Sequence, residues 1–262
     1  MIIPQGTVTD NYRIKPYHKL ISLVPSISWL LFDLQLQKNI KGITKFCAAK
    51  DNQHLGYPII GGTKNPSIQK IKLINPDLIL ANKEENRKED IEKLAKHHVV
   101  YLSDIHDLKS MNEMIHEISI LTGTAIMGQD FITQIKLKFD SFIASKNIKS
   151  PIQVAYLIWK DPLMTIGSDT FIHYMLHIAG FRNCYTEMKR YPVITYDELI
   201  ERNPDLVLLS SEPYPFTEKH LDEFMSLNTR LVDGRMFSWY GTFILQSFEY
   251  LNAFKKSLNS NI

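Results

Sequence analysis

His173 and His177 stand four positions apart in a segment of helical periodicity, a spacing at which two imidazoles can hold one metal ion. The apolar positions of that segment, Ile172, Met175, Leu176 and Ala179, mark its buried face and turn both histidines to the side or outward. No third ligand is in sight, so solvent-facing imidazoles are expected. His97 and His98 precede a strand, where neighbouring side chains point to opposite faces, which works against joint chelation. Cys47 and Cys184 show neither metal spacing nor a disulfide framework and read as small buried side chains. Gly61-Gly62-Thr63-Lys64 lacks the G-x-x-x-x-G-K-(S/T) spacing of a triphosphate loop and reads as a turn. Asp169, Glu212, Lys45 and Lys83 are scattered, and spacing makes no nucleophile–base pair, carboxylate pair or metal triad of them. The residues favour binding over bond chemistry: no catalytic set, no metal site and no required cofactor are expected.

The elements that must position these residues announce themselves through a repeat. Asn-Pro-Asp-Leu-(Ile/Val)-Leu occurs at Asn75–Leu80 and again at Asn203–Leu208, 128 positions apart and close to half the chain. Solenoid units run at about 20–50 residues, so this spacing predicts two similar lobes instead. Apolar runs precede each copy, Leu20–Val24 and Val154–Trp159, and both read as buried strands. Each leads into a small-residue turn and a helical pattern: Ile27, Leu30, Leu31 and Leu34 in one case, Ile172, Met175, Leu176 and Ala179 in the other. Ser26 and either Ser168 or Asp169 are the expected N-caps, with Gly180 as a C-terminal stop. Short helices at Ser67–Ile74 and Tyr196–Arg202 end at the prolines, and strands Leu78–Ala81 and Leu206–Leu209 follow. Uniformly apolar strands alternating with helices imply parallel sheets covered on both faces.

Gln129–Ser145 reads as one long amphipathic helix, with Phe131, Ile135, Phe139, Phe142 and Ile143 on one side and Lys136, Lys138 and Asp140 on the other. It is either a rigid connector or an ordinary surface helix of the first lobe. The expected organisation is an N-terminal lobe over 1–127, a connector helix over 128–147 and a C-terminal lobe over 148–262. A formal charge of +2 and the lack of any Lys/Arg cluster interleaved with aromatics argue against nucleic acid. Met1–Asp10 lacks the basic and apolar regions of a signal peptide.

Several segments in order resemble a known family: Leu20–Leu31 (LISLVPSISWLL), Gly42–Cys47 (GITKFC), Gly61–Pro66 (GGTKNP), Met164–Asn183, Tyr196–Ser211 and Phe237–Gly241 (FSWYG). They are similar to the substrate-binding proteins of ABC importers for vitamin B12, iron–siderophores and haem, the helical-backbone metal receptors. The resemblance runs from about residue 7 to 250. It implies an α/β fold of two Rossmann-like lobes with parallel sheets joined by one long connector helix, and a metal chelate held in the interlobe cleft. Carried over position by position, it implies a first-lobe wall of Pro25, Ser26, Phe46, Thr63, Asn82 and Lys83. The second-lobe wall would be Trp159, Gly167, Ser168, Tyr191, Glu212, Tyr214, Trp239 and Tyr240. Each has a plain alternative. Trp159 ends an apolar strand and reads equally as core, and Lys83-Glu84-Glu85-Asn86 reads equally as a helix start. Trp239 and Tyr240 are expected in a loop after the strand Arg230–Val232, so alanine at either should weaken binding and leave thermal stability nearly unchanged.

The family presents one acidic residue on each lobe to arginines of the permease. Asp197, with Glu198 beside it, fills the second-lobe position, whereas neutral Gln69 stands at the first. Three readings follow: a monomeric receptor delivering a corrinoid, siderophore or haem to an ABC permease; a cytoplasmic binder or sensor on the same scaffold; and an enzyme using the cleft. Location follows the same fork, periplasmic or cell-surface by resemblance and cytoplasmic if Met1 is the true start.

Overall fold

The computed structural model describes residues 1–10, 15–47, 56–144 and 151–259. The chain divides into two compact units, Met1–Lys136 with Tyr240–Phe243, and Leu137–Trp239 with Ile244–Ile262.

The doubled Asn-Pro-Asp-Leu has a physical reason in each unit. Asn75 takes the left-handed conformation (φ 49°) that ends the helix Ile68–Ile74, and Asn203 (φ 45°) does the same after Tyr196–Glu201. Asparagine tolerates that region better than most residues with a Cβ. The proline that follows cannot continue a helix. Asp77 accepts hydrogen bonds from the N–H groups of His18 (2.9 Å) and Lys19 (2.8 Å), and Asp205 accepts one from Gln153 (2.7 Å). Those donors lie at the entrance to the neighbouring parallel strand, so each aspartate latches it in register, Leu20 opposite Leu78 and Val154 opposite Leu206. The two leucines then enter the core, 0% and 1% exposed.

In the first unit the strands are β1 (Ile2–Pro4), β2 (Leu20–Ser22), β3 (Ile40–Ile43), β4 (Leu78–Asn82) and β5 (Val100–Ser103). They form one parallel sheet in the order β1-β5-β4-β2-β3. Helices α1 (Pro25–Asp33), α2 (Ile68–Ile74) and α3 (Lys88–Ala95) connect β2 through β5, and α4 (Leu108–Thr122) follows β5. Every residue of β2 and β4 is buried, which explains their unbroken apolar character. β1 escapes prediction because three residues carry too little periodicity. Its segment is anchored by Glu117, a buried carboxylate that accepts from Val8 N–H (2.7 Å), Gly6 N–H (3.1 Å) and the Tyr101 hydroxyl (2.7 Å).

α5 (Ala125–Ala144) starts four residues before the expected Gln129, and the boundary between the units falls inside it, after Lys136. Ser145, the expected helix end, and the rest of 145–147 lie outside the described residues. Gly128 is required here, because a Cβ would collide with the Ser119 side chain of α4. Farther along, Phe139 and Phe142 pack against Phe248 at 5.9 and 5.1 Å. Ile143, expected on the same apolar face, is 40% exposed; it lies one residue around the helix from Phe142 and so turns off the packed stripe.

The second unit contains β6 (Ile152–Leu157), β7 (Phe181–Asn183), β8 (Leu206–Ser210) and β9 (Thr229–Val232), again all parallel, in the order β7-β6-β8-β9. Its helices are α6 (Phe171–Ile178), α7 (Tyr196–Glu201), α8 (Arg235–Ser238) and α9 (Ile244–Asn259), with a 3-10 turn over Glu218–Phe224. Ile172, Met175, Leu176 and Ala179 are buried as their spacing requires, and Gly180 (φ 80°) ends α6. Two expected caps move. Val24 occupies the N-cap of α1 without a side-chain bond, because Pro25 suits the first helical position and places Ser26 inside the first turn. Thr170, not Ser168 or Asp169, caps α6 by accepting from His173 N–H at 3.2 Å.

Candidate functional site: the carboxyl ends of two sheets

In open α/β sheets the loops part where the strand order reverses, and ligands bind outside the carboxyl ends at that point. In the first unit the reversal lies between β2 and β4, which sends β2 into Val24-Pro25-Ser26 and β4 into Asn82–Asn86. Asn82 organises its own loop. Its side-chain oxygen accepts from the N–H groups of Glu84 (2.8 Å) and Glu85 (3.3 Å), and its amide donates to Ser103 Oγ (3.1 Å). Asn86 then donates to the carbonyls of Thr63 (2.9 Å) and Leu23 (3.4 Å), drawing the Gly62–Thr63 turn onto the end of β2. Pro25, Ser26, Thr63, Asn82 and Lys83 are thereby brought together. Asn82 is buried with its polar atoms committed, so its part is to shape the loop. The Lys83 ammonium pairs with Asp104, which His106 Nε2 also approaches at 2.9 Å.

Phe46 stands at the end of β3, 49% exposed, with the Lys45 ammonium 4.9 Å from its ring centroid. Tyr240 belongs to this first unit and is 5% exposed. Burial, then the neighbouring Glu85 carboxylate, hold its phenol well above the usual range, with the nearby Ser26 and Ser103 hydroxyls acting the other way. Tyr240 keeps the expected loop position, but the small stabilising role expected of it is corrected, because its ring is buried.

In the second unit the reversal lies between β6 and β8. β6 stops at Leu157, two residues short of the expected end, because the chain turns into short antiparallel bridges, Trp159 with Met164 and Met164 with Val193. Trp159 is accordingly no plain core residue but 39% exposed. The Tyr214 N–H donates to the Ile158 carbonyl (3.2 Å), and the Trp159 and Tyr214 rings meet edge-on at 5.6 Å. The ends of β6 and β8 thus form one aromatic corner, to which Phe216 adds a ring 4.7 Å from Tyr214.

Glu212 and Trp239 form a second cluster at the ends of β8 and β9. The Glu212 carboxylate accepts from Trp239 Nε1 (2.8 Å) and Ser238 Oγ (3.1 Å). Burial raises its pKa above the ordinary carboxylate value, and those two bonds oppose the rise. The stretch expected as loop after β9 contains the short helix α8 over Arg235–Ser238; Trp239 lies in the loop that follows it and is 9% exposed, so the indole is largely packed. Gly167 and Ser168 lie against 188–190: Gly167 N–H donates to the Arg190 carbonyl (2.7 Å), Ser168 N–H to the Met188 carbonyl (3.0 Å), and Lys189 Nζ to Ser168 Oγ (3.0 Å). A Cβ at position 167 would come within 2.5 Å of the Met188 carbonyl, so only glycine permits this strap. Tyr191 continues it, half-buried.

Asp197 and Glu198 occupy the first turn of α7 and differ in availability. Glu198 closes a capping box, accepting from Thr195 N–H at 2.7 Å, whereas Asp197 is exposed. Gln69 is exposed on α2. His173 lies near Asn183 (3.3 Å), His177 is exposed, and among the described residues no group of three or more His, Cys, Asp or Glu could hold a metal ion. Cys47 and Cys184 are buried free thiols, both pushed upward by burial, Cys184 to about 11. Sequence reasoning placed Asn86 only within the Lys83–Asn86 run, without its role in holding the Thr63 turn, and missed Ser238 and His220. Only His220 carried a signal, three positions after Thr217 in a capping spacing.

Among the described residues, no helix is long and apolar enough to cross a membrane. The periplasmic binding protein family model matches residues 20–230. A vitamin B12-binding protein of Vibrio campbellii is 18% identical over 201 residues, covering 74% of this chain and 71% of that protein. Two solved structures share the fold. The periplasmic haem-binding protein RhuT from Roseiflexus sp. RS-1 has a TM-score of 0.79 at 17% identity, covering 90% of this chain and 97% of that one. The periplasmic vitamin B12-binding protein BtuF of Vibrio cholerae has a TM-score of 0.78 at 17% identity, covering 92% and 97%. With four-fifths of its length matched in one continuous span, the chain belongs to the periplasmic binding protein family.

Proposed function

We propose that this protein captures a metal chelate, a corrinoid, iron–siderophore or haem, outside the cytoplasmic membrane and hands it to an ABC transporter without making or breaking bonds in its organic frame. The observation that carries this reading is the aromatic corner at the second-unit reversal, where Trp159 and Tyr214 stand partly open at the ends of β6 and β8. Aromatic faces offer large contact area to a flat amphipathic ligand at small entropic cost. In the first unit the half-exposed Phe46 and the polar turn around Thr63 and Lys83 serve the same end. The family's named members bind vitamin B12 and haem, which supports this ligand class. No resident cofactor is needed, and the protein acts as a monomer.

Asp197 is the acid offered to the transporter. Tyr196 (40% exposed), Ile200 (39%) and Val193 (59%) surround it with apolar surface. Gln69 supports a second reading, a binder that holds the same chelate without docking, because the first unit lacks the matching charge. Intrinsic tryptophan fluorescence tests the binding claim: titration with cyanocobalamin, haemin or a ferric trihydroxamate should quench it saturably for one of them. Trp159→Ala should weaken that ligand by about tenfold, the worth of one good aromatic contact. Unaltered affinity in Trp159→Ala would remove the corner from the site.

A further inference from the structure

Resting on the reading of Asp197 as a docking acid, we infer that the transporter meets this protein with two unlike surfaces, an acidic one against α2 and a basic one against α7. Its membrane part is therefore two non-identical permease chains, or one chain with unlike halves. The two helices are counterparts in the repeat. Ser67 caps α2 by accepting from Lys70 N–H (3.4 Å), and Thr195 caps α7 by accepting from Glu198 N–H (3.1 Å). Each helix then ends at the left-handed asparagine that opens Asn-Pro-Asp. A shift of 128 positions sets Gln69 against Asp197, Lys70 against Glu198, Lys72 against Ile200 and Leu73 against Glu201. All of these are exposed.

The helix geometry is shared, and the charge is inverted. Residues 68–74 carry two lysines and no acid, whereas 196–202 carry three acids and Arg202. The Arg202 guanidinium is already committed to Glu187 and to the Cys184 carbonyl (2.7 Å). Lys70 cannot close the capping box that Glu198 closes, and its ammonium donates instead to the Ile59 carbonyl at 3.2 Å. Both faces also carry large apolar side chains in the open. Leu73 on α2 is 86% exposed, and Met225 beside α7 is 80% exposed. Met225 is held there by its neighbours: Phe224 packs on the Tyr196 ring at 5.9 Å, and Ser226 Oγ lies 2.9 Å from the Tyr196 hydroxyl. Open apolar surface rimmed by charge marks an interaction face.

Charge decides what covers these faces. A symmetric permease pair offers the same residues twice. A basic group placed for Asp197 would then also meet Gln69 beside Lys70 and Lys72, and like charges in contact oppose docking. Two unlike surfaces remove that conflict. A second copy of this chain, α2 of one on α7 of the other, is complementary in charge but too small a contact. A seven-residue helix is only about 10 Å long. A stable interface takes about 800 Å² from each partner, which one such helix does not supply.

Site-specific photocrosslinking tests this. The purified full chain, with benzoylphenylalanine in place of Leu73 or of Ile200, is irradiated with membranes of the source organism, and the joined peptides are sequenced by mass spectrometry. The probe at 73 should join an acidic segment of one permease chain. The probe at 200 should join a basic segment of a different chain, or of the other half of the same one. Lys72→Glu should lower the first yield, and Asp197→Lys the second, each by about tenfold. Circular dichroism melts confirm that the variants are folded. Both probes on the same segment of one permease would overturn the inference and leave the docking reading standing. So would only one probe reaching a permease, whatever the other joins, a second copy of this chain included. Unaltered yields in both charge variants would overturn it too. If neither probe reaches a permease, the docking reading falls with it.

Discussion

Replacing Trp239 with phenylalanine keeps an aromatic ring in place and removes one polar group, the indole N–H that donates to Glu212 at 2.8 Å. Glu212 would keep only the Ser238 hydroxyl at 3.1 Å. A hydrogen bond to a charged group contributes about 1.5–3 kcal/mol, so Trp239→Phe should destabilise the second unit by that order at neutral pH. The pH dependence follows from Glu212, whose folded pKa is raised above its ordinary 4.5 by burial. An acid raised on folding stabilises the folded state most when protonated, below its unfolded value, and that contribution is lost as pH rises through the folded value. Loss of the indole donor raises the folded pKa further. The Trp239→Phe penalty should accordingly be largest at neutral pH and shrink as Glu212 takes up its proton. In a Glu212→Gln background, which carries no charge at any pH, the penalty should fall to about 0.5–1.5 kcal/mol, a neutral hydrogen bond. Urea unfolding followed by circular dichroism at acid and neutral pH, on all four members of the cycle, measures this. A penalty identical at both pH values and in both backgrounds would show that the Glu212 carboxylate is not what the indole serves.

Tyr240→Ala should cost about 3–5 kcal/mol as a large-to-small change at a buried site, and Tyr240→Phe, which keeps the ring, far less, read as thermal midpoints. Asp77→Ala should destabilise more than Asp205→Ala, because two backbone donors are orphaned in the first unit and one in the second; unfolding midpoints rank them. Asp197→Lys should abolish stimulation of the reconstituted transporter's ATPase while leaving chelate affinity unaltered. Glu198→Ala should instead lower the melting temperature, by the loss of a capping box worth about 1 kcal/mol.

The scaffold was legible because its signals are local. Asn75 and Asn203 end helices, Pro76 and Pro204 forbid their continuation, and apolar tetrads enter buried strands. Each of these is readable within a few residues, and the repeat doubled them. The latch between Asp77 and the entrance to β2 could not be read, since its donors are backbone groups 58 and 59 residues away in the chain. Caps shifted by one or two positions for a similar reason: Ser168 and Asp169 look like caps in sequence, but the 188–190 strap claims them and leaves the role to Thr170. The site was legible as a set of strand ends and hidden as a set of orientations. Nothing local to Trp239 tells whether an indole lies open or turns its N–H onto Glu212. Likewise, Asn82 looks like a ligand contact until Ser103, Glu84 and Glu85 account for its polar atoms.

The central claim is that this chain holds a metal chelate, and co-elution tests it most directly. The purified protein is mixed in turn with cyanocobalamin, haemin and a ferric trihydroxamate, passed through a gel-filtration column, and its peak scanned across the visible range. The account predicts a stoichiometric chromophore in the protein peak for one of these chelates. A colourless protein peak after all three would contradict it.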